Sequence, residues 1–222
     1  MTLATNIAKV KSRIRSACDT ANRNDNEPLL LAVSKKQTAR AIAQAFELGL
    51  HAFGENYVQE AIEKIEANRD LAISWHFIGP IQSNKTRDIA HYFDWVHSVD
   101  RAKIASRLND QRSGEPLNVC IQVNISEEAS KSGCAPNDVK ALASTISNCP
   151  QLRLRGLMAI PSAQHDNHGE FANMHKLFVE LQTHYPHIDT LSMGMSADLE
   201  TAIANGSTLV RIGTDIFGAR KP

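Results

Sequence analysis

The sequence predicts a single (β/α)₈ barrel, in which a closed ring of parallel strands is surrounded by helices. Short β-type apolar runs alternate with segments of helical period along the chain, and this alternation is typical of parallel strands covered by helices. About eight such runs can be counted, the number that closes this kind of barrel. Connections are short, and no linker rich in Pro, Gly or Ser divides the 222 residues. We therefore expect one domain, 1–222.

An amphipathic helix is predicted near the N-terminus, before the first strand. Its apolar residues recur at helical spacing among charged ones: Ile7, Val10, Ile14 and Cys18. Charges mixed into the apolar stripe are not typical of a signal peptide. The segment is therefore expected to be an extra helix outside the repeating strand-helix pattern.

The β-type runs follow in order, each short and apolar. They are LLLAVS (29–34), HAFG (51–54), SWHFIG (74–79), DWVHSV (94–99), LNVCIQVN (117–124), LRLRGLMAI (152–160), TLSMG (190–194) and LVRIG (209–213). Spaced apolar residues between them indicate helices, for example Phe171, Met174, Phe178 and Leu181. A doubly wound open sheet is the alternative, but it would usually need fewer strands, and no GxGxxG follows the first run.

The composition favours a cytoplasmic protein that binds neither nucleic acid nor membranes. Lys+Arg and Asp+Glu balance at 24 each, which gives no electrostatic case for a polyanionic partner. No apolar run approaches the length of a membrane span. The four cysteines show no CxxC spacing, so reduced thiols are favoured over disulfides or a metal site.

The last two strand exits resemble an anion site. Barrel enzymes carry their chemistry at the carboxyl ends of the strands, and phosphate often binds after strands 7 and 8. Ser196 precedes a predicted helix where an N-cap belongs, and helix N–H groups favour a phosphate. Gly213 permits close backbone approach, and Thr214 adds an N–H and a hydroxyl. Ser196, Gly213 and Thr214, here called the cradle, could instead form only a cap and a turn.

Cations lie in the last apolar run and at the exit of the first. Arg211 lies inside an apolar run, so it needs a partner, either a structural salt bridge or a ligand ring or carboxylate. Lys35 and Lys36 end the first run, and an amine there, opposite a phosphate site, suggests a Schiff base with a phosphorylated aldehyde. Alternation pairs Lys35 with Leu31 and Val33 on one face of the strand. The pattern does not decide which lysine faces the barrel interior.

Several strings in this chain resemble the pyridoxal phosphate homeostasis protein family. They are LLAVSK, FGENYVQE, WHFIGPIQSNK, VNISEEASKSG, RGLMAI and LSMGMSADLETAI, followed by VRIGTDIFGAR. The resemblance covers nearly the whole chain. It implies a barrel like the N-terminal domain of alanine racemase. It also implies that the protein binds pyridoxal 5′-phosphate (PLP), and members of the resembled family have no firmly established catalytic activity. It also implies a role in vitamin B6 supply and in amino-acid and keto-acid balance.

The resemblance also assigns residues. Lys35 matches the lysine that forms the PLP Schiff base, directly after AVS, whereas Lys36 falls where the family varies. Gln37 and Thr38 depart from the lysine and proline that often follow, so a role for a second lysine here is not implied. By the same resemblance, Ser196, Gly213 and Thr214 match residues that contact the phosphate. Arg211 matches the arginine that faces the pyridine nitrogen, and Asn56 matches an asparagine near the cofactor. Lys131 matches a lysine suspected of secondary PLP handling.

Two functions follow from this reading. The first is a PLP-binding module that holds, buffers or delivers the cofactor to apo-enzymes that require it. The alternative is a PLP-dependent amino-acid racemase, which needs a base on each face of the cofactor. Barrel-type racemases take their second base from an additional domain, for which we expect no room in this chain, and Tyr57 is the tyrosine at a strand exit. The binding module is favoured, and we expect it to be a monomer.

Overall fold

Eight parallel strands close into a barrel in chain order within the residues that the computed structural model describes, 2–128, 130–162 and 168–218. Each strand pairs with its neighbours along the chain, and β8 pairs with β1 to close the ring. The strands are β1 (Leu29–Val33), β2 (Ala52–Glu55), β3 (Ser74–Phe77), β4 (Trp95–Val99), β5 (Leu117–Val123), β6 (Leu152–Ala159), β7 (Thr190–Ser192) and β8 (Leu209–Ile212). The predicted barrel is confirmed, and the open-sheet alternative is wrong.

Helices cover the outside of this barrel. They are α1 (Leu3–Thr20), α2 (Ala39–Glu47), α3 (Val58–Ala67), α4 (Thr86–Tyr92), α5 (Ala102–Gln111), α6 (Val139–Ser147), α7 (His168–His184), α8 (Leu199–Ala204) and α9 (Thr214–Phe217). Single 3₁₀ turns precede α4 and α6, at Ser83–Lys85 and Pro136–Asp138. Among the residues described, no helix combines the length and the apolar character needed to cross a membrane.

The extra helix α1 packs beside the exits of β7 and β8. Its predicted apolar stripe is buried, with Ile7, Val10, Ile14 and Cys18 all at most 3% exposed. The helix begins after Thr2, whose hydroxyl accepts a hydrogen bond from the Thr5 N–H. Because α1 contacts α8 and α9, it lies against the two short helices that follow the last strands.

The two faces of β1 have different surroundings. Leu31 packs with Ala52, Ile78 and Leu209 in a small cluster within the barrel, and Val33 packs against it. Ala32 belongs instead to the large core between the strands and the helices. β1 ends at Val33, and Lys35 and Lys36 lie in the turn after it, so the alternation of the strand does not by itself place their side chains.

Candidate functional site

The candidate site is a cavity of about 290 Å³ at the carboxyl ends of the strands. Its size is near the lower end of the range of about 300–1,000 Å³ that is usual for small-molecule pockets. The structure brings all six site residues predicted from the sequence to its lining: Lys35, Asn56, Ser196, Arg211, Gly213 and Thr214. Ile78, Ile160 and Met195 supply apolar surface.

A larger cavity of about 570 Å³ lies at the opposite end of the barrel. Its lining includes the first residues of four strands, Leu29, Ala52, Ser74 and Trp95. Chemistry in barrels of this type is found at the carboxyl ends of the strands. Size alone therefore does not identify the site, and the smaller cavity is the candidate.

Lys35, and not Lys36, reaches the cavity. Lys35 is half-buried in the turn that follows β1, and it is one of the residues that line the cavity. Lys36 is exposed, and its φ of 62° is in the left-handed region that few residues other than glycine adopt. The backbone N–H of Lys36 donates to the carboxylate of Glu60 on α3. The chain therefore turns outward immediately after Lys35.

Arg211 is a buried cation held by oxygen atoms of the barrel wall. Nη1 donates to the carbonyl and hydroxyl oxygens of Ser192, and Nη2 donates to the carbonyl of Ala159 at 2.8 Å. Within the described residues it forms no salt bridge, so the structural ion pair considered from the sequence is wrong. Burial lowers the pKa of Arg211 to about 10, which leaves the guanidinium charged at neutral pH.

A chain of hydrogen bonds runs from Arg211 through the barrel interior. The hydroxyl of Ser192 lies 3.0 Å from Nδ1 of His97, Nε2 of His97 lies 2.8 Å from Nδ1 of His76, and Nε2 of His76 lies 3.1 Å from the hydroxyl of Ser74. Ser74 and His76 line the larger cavity at the far end. This series of hydrogen bonds therefore connects Arg211 in the smaller cavity with Ser74 in the larger one.

His76 and His97, the two histidines of this series of hydrogen bonds, are uncharged at neutral pH. Burial lowers the pKa of His76 to about 3, and burial together with the nearby His76 and Arg211 lowers the pKa of His97 well below its ordinary value. Because Arg211 only donates, one consistent arrangement has Ser192, His97 and His76 each donating to the next group along the chain. His76 is therefore a buried core residue whose two ring nitrogens both have hydrogen-bond partners.

The cradle has a different local structure from the one predicted. Ser196 is not the N-cap of the following helix, because a turn over 196–198 intervenes and α8 begins only at Leu199. Asp198 occupies the cap position, and its carboxylate accepts from the N–H of Met195 at 2.6 Å. The N-cap prediction is wrong, yet the turn leaves Ser196 on the cavity lining.

The other half of the cradle is the start of α9. Gly213 directly precedes this helix, and Thr214 is its first residue. A Cβ at residue 213 would lie 3.2 Å from the carbonyl oxygen of Val33, so glycine allows the exits of β8 and β1 to lie close together. The first N–H groups of a helix lack partners within the helix, which makes its start a favourable place for an anion.

Arg13 on α1 connects the two halves of the cradle, a contact that no sequence motif signalled. Its guanidinium donates to the carbonyl of Ser196 at 3.0 Å, to Glu200 of α8 at 2.9 Å and to Asp215 of α9 at 2.6 Å. The hydrogen bond from Arg13 lowers the pKa of Glu200. The extra helix thus ties the loop after β7 to the helix after β8.

Asn56 presents an unsatisfied acceptor at the site. It follows β2, and its Oδ1 is buried with no hydrogen-bond partner within the part of the chain described. Gly79 lies so close that a Cβ there would be 2.2 Å from the carbonyl oxygen of Asn56. A buried acceptor without a protein partner is a place where a ligand donor would be stabilised.

Two other residues singled out from the sequence lie outside this cavity. Lys131 lines an adjoining cavity of about 170 Å³ that shares Asn56, Ile78 and Ile160 with the main one. Its amine contacts Ser126 at 3.0 Å and Glu128 at 2.9 Å. Tyr57 is 55% exposed and is not among the residues that line the main cavity.

Comparison with known proteins assigns the family. The model of the alanine racemase N-terminal domain matches residues 5–221. A pyridoxal phosphate homeostasis protein of Pseudomonas aeruginosa is 57% identical over 99% of this chain and 96% of its own length. One from Escherichia coli K12 is 53% identical over 98% of this chain and 97% of its own length. The chain belongs to the pyridoxal phosphate homeostasis protein family.

A solved structure supports the same placement within this family. PipY of Synechococcus elongatus PCC7942, determined with PLP bound, superposes with a TM-score of 0.85 at 35% identity. The match covers 98% of this chain and 100% of that protein. The family resemblance seen in the sequence strings is therefore confirmed over nearly the full length.

Proposed function

We propose that this protein binds PLP in the cavity at the carboxyl ends of its strands and takes part in PLP homeostasis without turning over a substrate. One observation carries the proposal. An amine, a buried guanidinium and a hydroxyl-lined helix start, contributed by Lys35, Arg211 and the cradle, converge on one cavity of suitable size. The names of the relatives and the PLP-bound PipY structure support it.

The side chains present fit this cofactor. The cradle offers two hydroxyls and the start of α9 to a phosphate, and the unpartnered Oδ1 of Asn56 offers an acceptor. When bound, PLP supplies an aldehyde that condenses with a lysine amine to a Schiff base. Lys35 is the lysine positioned for that link, because it lines the cavity and Lys36 does not.

Arg211 explains why holding is favoured over turnover. We infer that it faces the pyridine nitrogen, where a permanent cation discourages protonation. PLP is a strong electron sink when that nitrogen is protonated. The hydrogen bonds to Ser192 and Ala159 fix the guanidinium in the barrel wall, so the charge stays in place. This arrangement suits a tightly held cofactor with weak carbanion stabilisation.

The racemase alternative lacks a second base. Racemisation by two bases needs a proton-transfer group on each side of the cofactor. Among the described residues that line the cavity, Lys35 is the one whose side chain could serve as a base, since Arg211 stays charged. Tyr57, the candidate for the opposing base, is more than half exposed and lies outside the lining.

Several finer features belong to the same proposal. We propose that 1–222 acts as one PLP-binding domain, that it works as a monomer in the cytoplasm, and that PLP-requiring apo-enzymes receive the cofactor from it. The continuous barrel, closed in chain order, supports the first of these. Secondary handling of PLP at Lys131 is proposed on its position in the adjoining cavity.

Binding and turnover can be tested on one preparation. The purified apoprotein is titrated with PLP and followed by visible absorption, and saturation at one PLP per chain is expected. The loaded protein is then incubated with individual L-amino acids in deuterated water. Exchange of the α-hydrogen with retention of configuration is compatible with Lys35 acting from one face. Inversion at roughly 1–10³ per second, the typical enzyme range, would contradict the proposal.

A further inference from the structure

Lys64 of α3 is a buried cation close to the candidate site but outside its lining. The residue is 4% exposed, and burying an ammonium is costly unless it is fully paired. Its amine donates to the carbonyl of Ser34 at 2.7 Å, to Glu55 at 2.7 Å and to Glu60 at 2.6 Å. An ammonium has three donors, so these contacts use all of them.

These contacts lie on both sides of Lys35. The carbonyl oxygen of Ser34, directly before it, accepts from Lys64, and the Ser34 hydroxyl donates at 2.6 Å to the Glu55 oxygen that Lys64 also contacts. Lys36, directly after it, donates its backbone N–H to the Glu60 oxygen that Lys64 also contacts. The ammonium of Lys64 therefore holds the backbone on both sides of Lys35. It contacts Ser34 directly, and it contacts Lys36 through the carboxylate of Glu60.

The conformation of Lys36 shows why such a tie is needed. A left-handed φ is unfavourable for a lysine and persists only where the surroundings enforce it. Two contacts hold this turn: the Gln37 N–H donates to the Ser34 carbonyl at 3.0 Å, and the Lys36 N–H donates to Glu60. Lys64 donates to both of these acceptors, the Ser34 carbonyl and the Glu60 carboxylate. Without the turn, the chain would not be fixed with Lys35 inward and Lys36 outward.

We propose that Lys64 is a positioning residue that holds the 34–36 turn so that the amine of Lys35 enters the cavity. It acts through the backbone, because it contacts Ser34 and the Glu60 carboxylate and does not line the cavity. The proposal rests on the function proposed above. It predicts that Lys64 matters for the covalent link of PLP to Lys35 and not for recognition of the ring or the phosphate.

Two ligands separate these contributions. PLP can react with Lys35, whereas 4′-deoxypyridoxine 5′-phosphate has the same ring and phosphate but a methyl group in place of the aldehyde. Lys64→Met should weaken PLP binding by roughly tenfold or more, which corresponds to losing at least one hydrogen bond of a charged group. Binding of the deoxy analogue should change less than about twofold, and Lys64→Arg should restore part of the PLP affinity.

Two further variants control for a merely structural effect. Glu60→Gln keeps the buried Lys64–Glu55 pair and weakens the tie to Lys36, so it should show the same selective loss in smaller degree, and it serves if Lys64→Met does not fold. Lys140→Met removes the exposed ion pair with Glu180 on other helices and should leave both affinities unchanged. Melting curves of all variants establish that they are folded.

The outcomes distinguish this inference from the proposed function. Equal losses for both ligands, or no loss for either, in the folded Lys64 and Glu60 variants would overturn the positioning role. A wild-type protein that binds PLP no more tightly than the deoxy analogue would instead remove the link to Lys35 and with it the proposed function. A wild-type preference for PLP that disappears in Lys64→Met is the result expected.

Discussion

Arg211 binds Ser192 twice, through the carbonyl oxygen at 2.7 Å and through the hydroxyl at 2.8 Å. The carbonyl contact would survive any substitution of the Ser192 side chain, whereas the hydroxyl contact is also the first step of the chain to His97 and His76. The guanidinium is thus fixed by the backbone and connected to the barrel interior by one hydroxyl.

Ser192→Ala should separate these two effects. Loss of a hydrogen bond to a charged group typically costs about 1.5–3 kcal/mol, and Nδ1 of His97 also loses its partner. We expect a lower melting temperature and a changed visible spectrum of bound PLP, because Arg211 shifts against the ring. Ser207→Ala removes a buried hydroxyl between the same two strands without touching Arg211. A spectral change as large in Ser207→Ala would contradict the role of the Ser192 hydroxyl.

The cradle residues should act on the phosphate alone. Ser196→Ala combined with Thr214→Val removes the two hydroxyls that line that end of the cavity. Each lost hydrogen bond to a charged group should cost on the order of 1.5–3 kcal/mol of PLP binding. Pyridoxal, which has no phosphate, should bind almost as it does to the wild type. An equal loss for PLP and pyridoxal, measured by titration, would show that these hydroxyls do not hold the phosphate.

Arg13 should matter for the same end of the ligand although it does not line the cavity. Arg13→Gln removes the contacts to Glu200 and Asp215 and should loosen both halves of the cradle, so PLP affinity should fall several-fold. Arg15→Gln on the same helix is the control, because Arg15 pairs only loosely with Glu27 at 3.7 Å and does not contact the cradle. Equal PLP affinities of the two variants, measured by titration, would contradict the role of Arg13 in holding the two halves of the cradle together.

Much of this site could be predicted from the sequence, because strand exits are local features. The runs ending at Lys35 and at Gly213 mark their own exits, and parallel strands bring those exits together. The sequence does not predict the roles of Lys64 and Arg13, because most of their partners lie on other elements, distant in sequence. A lysine or arginine on an amphipathic helix also usually indicates a solvated face. The Ser196 cap was misplaced because helix boundaries are the least certain feature of a sequence pattern.

The buried histidines should make the protein less stable in mild acid. In the unfolded chain a histidine takes up a proton near its ordinary pKa of about 6.5. In the folded protein His76 stays neutral down to about pH 3, so the unfolded state binds more protons across this interval. Stability should therefore be full above the unfolded pKa and fall as the pH drops below it.

The expected slope for one such histidine approaches about 1.4 kcal/mol per pH unit once the pH is well below 6. Urea unfolding between pH 7 and pH 5 measures it. His76→Gln should flatten the dependence, because glutamine does not titrate. An unchanged slope in His76→Gln would show that the acid sensitivity arises elsewhere.

The central claim is that PLP attaches to Lys35, and reductive trapping tests it most directly. The PLP-loaded protein is reduced with borohydride, digested and mapped by mass spectrometry, with Lys35→Ala as the control. We predict one dominant pyridoxyl adduct, on Lys35, because this lysine lines the cavity while Lys36 points outward and Lys131 lies in the adjoining cavity. A dominant adduct on Lys36 or Lys131, with Lys35 unmodified, would contradict the account.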